Sequence, residues 1–193
     1  MSGTKGRGLQ AKPLRLKLKD LAQHGELQIK SWELPDPERT YHPNSVGATR
    51  QGREVTLIFA QALPVSGRVV NAVLVSLPEP ALKEALGGFE AIRARLARLQ
   101  FTQPELDSVG VKPEQLEPLT QGGYLGLRAD LLRGACGDDA AVLDFFSKPM
   151  ITDALVEARP HDVLKFEGEI RISCSSLVLA AFLRSTKEVV ADG

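Results

Sequence analysis

Sulfur and imidazole chemistry have little to work with in this chain. Its 193 residues include two cysteines, Cys136 and Cys174, and three histidines, His24, His42 and His161. Neither cysteine belongs to a CxxC pair or a metal-ligand spacing, so both read as buried free thiols of a reducing compartment. No histidine has a second ligand at helical spacing, which argues against a metal site. Aromatic residues are only 5% of the chain, and Trp32, Tyr41 and Tyr124 are too scattered to form a stacking platform for bases. The 24 basic and 24 acidic side chains cancel, so no whole-molecule field draws the protein to nucleic acid or membrane. No apolar run approaches the roughly 18 residues of a membrane span, and the N-terminus lacks the apolar stretch of a secretory signal. These absences predict a cytoplasmic protein with no cofactor and no membrane segment, whose partners are recognised locally.

What is present is core material. At 43% hydrophobic and 25% charged, the chain has the composition of an ordinary globular protein with enough length to bury a core. Val55-Thr56-Leu57-Ile58-Phe59-Ala60 places Val55, Leu57 and Phe59 on one face of a strand, because side chains alternate. Arg68 to Val75 is apolar on both faces apart from Asn71 and reads as a central strand. Pro64 and Gly67 between the two runs predict a loop that pairs them antiparallel.

After Val75 the period changes. Leu82, Leu86, Phe89, Ile92, Leu96 and Leu99 recur at three and four residues, which predicts a helix with all six on its buried side. Ser76 with Glu79 has capping-box spacing, and Pro80 fits a first helical turn, so the start stays open between them. Gly87-Gly88 inside the pattern predicts a kink or a close contact.

Over residues 38–99 the chain resembles a bacterial domain of unknown function, number 3467. The resemblance rests on Tyr41 and Asn44, Val55 to Gln61, Pro64, Val73-Leu74-Val75-Ser76-Leu77-Pro78, then Ala81, Lys83 and Leu86. It implies a strand pair running into a helix and no activity.

The N-terminal residues differ in composition. Lys5, Arg7, Lys12, Arg15, Lys17 and Lys19 all precede the first acid, Asp20. This basic arm offers contacts to nucleic acid or an anionic surface through Lys12, Arg15, Lys17 and Lys19. Leu14, Leu16 and Leu18 alternate with Arg15, Lys17 and Lys19, so the same residues also suit an edge strand blunted by charge. Gly25 to Trp32 offers another short strand, ended by Pro35 and Pro37.

Beyond Gln100 the texture reads as helical. Pro104-Glu105 and Pro113-Glu114 each open a short helix. Leu127, Leu131 and Leu132 continue the helical theme to Gly134, and Asp138-Asp139 starts a segment holding Val142, Leu143, Phe145 and Phe146. Val163 to Ile172 then alternates strictly and predicts one strand. Ile170-Arg171-Ile172-Ser173 precedes Leu179, Phe182 and Leu183 much as Val73-Leu74-Val75-Ser76 precedes Leu82, Ala85 and Leu86. That recurrence fits either a duplicated unit or convergence on a common strand-to-helix connection.

Candidate chemistry is sparse. His161-Asp162 offers a base and its orienter without a nucleophile beside them. Asp130 with Asp138-Asp139 offers carboxylates for a divalent ion, or caps for a helix. Ser173-Cys174-Ser175-Ser176 lacks the glycines of a nucleophile elbow and suits a helix start.

The expectation is an α+β protein, with an antiparallel sheet packed on one face by helices. Its segments are an arm over 1–24, a sheet-plus-helix domain over 25–100, and a more helical region over 101–193 that returns one strand. The junction is expected between Gln100 and Leu119. The expected function is a bacterial-type, non-catalytic protein-interaction or assembly module, with self-association or a protein partner. The alternatives are a nucleic-acid accessory protein using the arm, or an enzyme with a site between the halves near His161 and Asp162.

Overall fold

The computed structural model describes residues 14–16, 32–63, 66, 68–119, 123–137, 140–148, 156–158, 164–165 and 167–191. The protein is α+β. Its chain divides into two compact units, one made of Met1–Glu33 with Pro149–Lys165 and the other of Leu34–Lys148 with Phe166–Gly193. In the first unit, β1 (Leu14–Leu16) pairs antiparallel with β10 (Val156–Ala158), and β2 (Trp32–Glu33) pairs parallel with β11 (Leu164–Lys165). Leu14 to Leu16 is thus extended, as its alternation predicts.

The second unit holds the other strands, β3 (Thr40–Tyr41), β4 (Ser45–Gln51), β5 (Glu54–Ala62), β6 (Val69–Pro78), β7 (Tyr124–Arg128), β8 (Leu131–Cys136), β9 (Ala141–Ser147) and β12 (Glu167–Cys174). Its helices are α1 (Glu79–Gly87), α2 (Glu90–Leu99), the short α3 (Gln103–Ser108), a 3-10 turn (Pro113–Leu119) and α4 (Ser176–Ala191). None of the described helices is long and apolar enough to cross a membrane. The strands form two sheets of four, in the orders β4-β5-β6-β7 and β3-β12-β9-β8.

The two runs that alternate around Pro64 pair antiparallel, with Leu57 opposite Val75 and Phe59 opposite Val73. Gly52, at φ 62°, turns β4 into β5, a conformation that side chains other than glycine disfavour. The expected long helix breaks at Gly87-Gly88 into α1 and α2. Pro80 lies in the first turn of α1, and no side chain caps the start. Five of the six predicted stripe residues are buried; Leu99, in the last turn of α2, is 46% exposed.

The C-terminal region differs from expectation. Leu127, Leu131, Leu132, Val142, Leu143, Phe145 and Phe146 lie on β7, β8 and β9, not on helices. Strands this short show too few alternations to separate a period of 2 from one of 3.6, and consecutive Phe145 and Phe146 are both buried. Tertiary pairing decided the matter, as it often does for short apolar runs. The region contributes most of one sheet and part of the other. The short helices expected at Pro104 and Pro113 are present.

The second unit is built from two equivalent halves. Each is an arm strand, a three-stranded antiparallel meander and a helix: β3, β4-β5-β6, α1 in the first half and β7, β8-β9-β12, α4 in the second. Each arm leaves its own half and pairs parallel with the last meander strand of the other. Tyr41 stands opposite Ile172, and Leu127 opposite Val75. One residue offset carries Tyr41 to Leu127, Val46 to Leu132, Leu57 to Leu143 and Phe59 to Phe145. A second, longer offset carries Val75 to Ile172 and Leu82 to Leu179. The serine-to-leucine recurrence therefore marks a real structural equivalence.

Polar detail repeats as well. Asn44 N–H donates to the Ala60 carbonyl at 3.0 Å, and its Oδ1 accepts from Ala62 N–H at 2.8 Å. Asp130 N–H donates to the Phe146 carbonyl at 2.8 Å, and its Oδ2 accepts from Lys148 N–H at 2.9 Å. The helices also cross over, with α4 lying on β4 and α1 on β8. The two halves share a core, with Val55, Leu57, Phe59, Val75, Leu143, Phe145 and Ile172 from both sheets beneath Leu82, Leu179 and Phe182 from the helices.

Candidate functional site

Of the residues expected to contact nucleic acid, Arg15 lies on β1 opposite Glu157. Lys12, Lys17 and Lys19 lie outside the described residues, as do His24, His161, Asp162, Asp138 and Asp139. His42 is exposed, and its carbonyl accepts from Gln61 Nε2 at 3.2 Å. Asp130 is committed to the Lys148 amide. Ser175 Oγ accepts from Val178 N–H at 3.3 Å and so starts α4, which is the capping role its position suggested. Cys174 is buried, and burial together with the neighbouring Cys136 pushes its thiol up to about 12, so it stays a neutral thiol at ordinary pH.

The arm strands meet at a concavity of about 400 Å³ whose lining includes Thr40, Tyr41, Asn71, Tyr124, Leu125 and Ile170. Tyr41 OH donates to the Asn71 carbonyl at 3.2 Å across this space, and burial raises its pKa above the ordinary tyrosine value. Beside it, β7 ends its sheet with β6 on one side and no strand on the other among the described residues. Ala72 N–H donates to the Gly123 carbonyl and Ala129 N–H to the Ser76 carbonyl. In a parallel ladder that pattern turns the backbone groups of Tyr124, Gly126 and Arg128 away from β6, toward the open edge. Tyr124 is 50% exposed and Leu125 38%. Val70 on β6 and Leu63, just past the end of β5, are also exposed at the same end of the sheet. The opposite edge is managed differently. Val46 N–H donates to the Val109 carbonyl, and its own carbonyl accepts from Val111 N–H, so residues 109–111 cover β4 at Val46.

A row of charge crosses the outer face of the other sheet. Arg133, Asp144 and Arg171 are direct cross-strand neighbours on β8, β9 and β12. Arg133 Nη2 donates to Asp144 Oδ2 at 2.6 Å, Arg171 Nε to Oδ1 at 2.7 Å, and Arg171 Nη2 to Asp36 Oδ1 at 2.8 Å. Asp144 is 3% exposed. Burial alone would raise its pKa, but the hydrogen bonds from Arg171 and then Arg133 outweigh that and hold it below the usual carboxylate range. These partners hold Arg171 still more firmly protonated. Arg171 N–H also donates to the Arg39 carbonyl, so one arginine anchors the segment leading into β3 through both backbone and side chain. In the first half the equivalent row is Gly47, Ile58 and Leu74, with Val111 and Leu116 packed over Ile58 and Leu74.

Neither feature is legible in the sequence. The charged row becomes visible only once the strand register is known, and the open edge only once Leu127 is known to be extended. Among the described residues no group of three or more His, Cys, Asp or Glu is arranged to hold a metal. Comparison of this chain with protein-family models, curated proteins and solved structures finds no match.

Proposed function

We propose that this chain is a protein-interaction and assembly module, not a catalyst, and that the β7 edge is where it joins a second copy of itself. The observation that carries the reading is an edge strand presenting outward backbone donors and acceptors together with exposed Tyr124 and Leu125. Solvent-facing edges are normally guarded by lysine, proline or a bulge. Tyr124-Leu125-Gly126-Leu127 contains none of these, Arg128 alone of β7 being charged, while the β4 edge is bonded to residues 109–111 at Val46. Antiparallel pairing of β7 with β7 of another copy is self-complementary under a two-fold, continues the sheet across the pair and buries the apolar patch. The two free thiols favour a reducing compartment, and we place the protein in the cytoplasm.

Size-exclusion chromatography with light scattering tests this. Gly126→Pro removes an outward amide while leaving the β6 ladder intact, so the native chain should run as a dimer and the variant as a folded monomer. A native chain that stays monomeric at all concentrations, or a Gly126→Pro dimer, overturns the proposal.

A further inference from the structure

A second surface lies between α1–α2 and α4. It is a groove of about 760 Å³ with an aliphatic floor of Leu86, Leu183 and Val190 and a cationic rim of Lys83, Arg93, Arg184 and Lys187. That volume is within the roughly 300–1,000 Å³ typical of binding clefts. Lys83 is paired with Glu79 and Arg184 with Asp107. Among the described residues Arg93 and Lys187 have no ion-pair partner and no acidic side chain lines the groove. Arg184 Nε is buried without a hydrogen-bond acceptor among the described residues, and the Glu188 carboxylate lies 3.8 Å from it.

We propose that this groove receives an acidic amphipathic helix of a partner protein. Two helices flanking an apolar trough accept a third by ordinary side-chain interdigitation. Apolar residues of the incoming helix at i, i+4 and i+7 cover Leu86, Leu183 and Val190, and flanking carboxylates answer Arg93 and Lys187. A nucleic acid would meet the rim but leave the floor uncovered, and no aromatic side chain among the described residues lines the groove for a base to stack upon. The groove shares no residue with the β7 edge, so the two proposals stand or fall separately.

The probe is a fluorescein-labelled helix of about 14 residues, close to four turns, with leucine at i, i+4 and i+7 and glutamate at the flanking positions. Anisotropy titration of the full chain should give saturable binding. Arg93→Glu with Lys187→Glu, checked for native circular dichroism, should weaken it by about tenfold or more. The same variant should gain affinity for a probe with lysine in place of glutamate, a reversal that loss of folding cannot produce. Absence of saturable binding, equal binding of both probes, or indifference to the charge reversal overturns the proposal. So does binding to phosphatidylglycerol vesicles that the acidic probe fails to displace, which would assign the groove to a membrane surface. Gly126→Pro should leave probe affinity unchanged.

Discussion

The rings of Phe59 and Phe145 meet edge to face with their centroids 5.6 Å apart, and the two residues hold the same place in the two halves of the second unit. Phe59 stands between Val46 and Val73, and Phe145 between Leu132 and Ile170. Equivalent residues that touch each other are what an internal two-fold arrangement produces where its halves meet. Phe182 of α4 stacks on Phe59 from the helix side, at 6.0 Å.

Truncating this contact should therefore be costly and coupled. Phe59→Ala and Phe145→Ala should each destabilise the chain by about 3–5 kcal/mol. The double variant should lose less than the sum, because the second truncation removes a ring whose partner is already gone. Urea denaturation of all four members of the cycle measures the coupling.

The capping bonds of the two halves give an exchange test. Asn44 and Asp130 offer the same acceptor to equivalent amides. Asp130→Asn should thus be tolerated within about 0.5 kcal/mol, while Asp130→Ala should cost about 1 kcal/mol. Thermal melts separate the two outcomes, and equal losses would show that charge, not geometry, matters at Asp130.

How much of this was legible follows from where the information sits. The Val55–Val75 pairing and the α1–α2 stripe are local patterns long enough to read, and Pro64 with Gly87-Gly88 punctuates them. The duplication left one trace, the Ser76-to-Leu86 spacing repeated from Ser173 to Leu183. Its other half was hidden because the hairpin between β9 and β12 carries a long insertion that breaks the common offset. The charged row of Arg133, Asp144 and Arg171 is non-local throughout, and nothing in one strand announces the other two.

Gly47 should prove intolerant. A Cβ there would lie 2.2 Å from the Val111 carbonyl oxygen, which is backbone and belongs to the segment covering β4. Gly47→Ala should cost about 1–3 kcal/mol as an overpacking change. The Val111 amide, which donates to Val46, should lose hydrogen-exchange protection ahead of the core amides. Unchanged protection at Val111 would mean that the cover is not held by this approach.

Gln100 ends α2 at φ 50°, ψ 48°, the left-handed conformation that glycine adopts without a Cβ clash. Gln100→Gly should raise stability by about 0.5–1 kcal/mol, net of the extra freedom glycine gives the unfolded chain. A lower melting temperature for the variant would show that the glutamine side chain contributes contacts outweighing its backbone cost.

Asp144 should govern the acid limb of the stability curve. Its folded pKa is depressed by Arg171 and Arg133 against the opposing pull of burial. The folded state therefore binds its proton more weakly than the unfolded chain does. The stabilisation is fully present above the ordinary aspartate value of about 4, and it is lost as the pH falls through the depressed folded value. Asp144→Asn removes the charge but leaves two partly exposed guanidinium groups beside it, so it should cost about 1–3 kcal/mol at neutral pH. Below the folded value the native residue is itself neutral, and the difference between the two proteins should shrink. Urea denaturation of both across the acid range checks this. A gap that stays constant down to the lowest pH at which both fold would mean that Asp144 acts through shape and not through charge. Because Arg171 also grips Asp36 and the Arg39 carbonyl, the variant should loosen β3 first, and the Arg171 amide should exchange faster than its neighbours on β12.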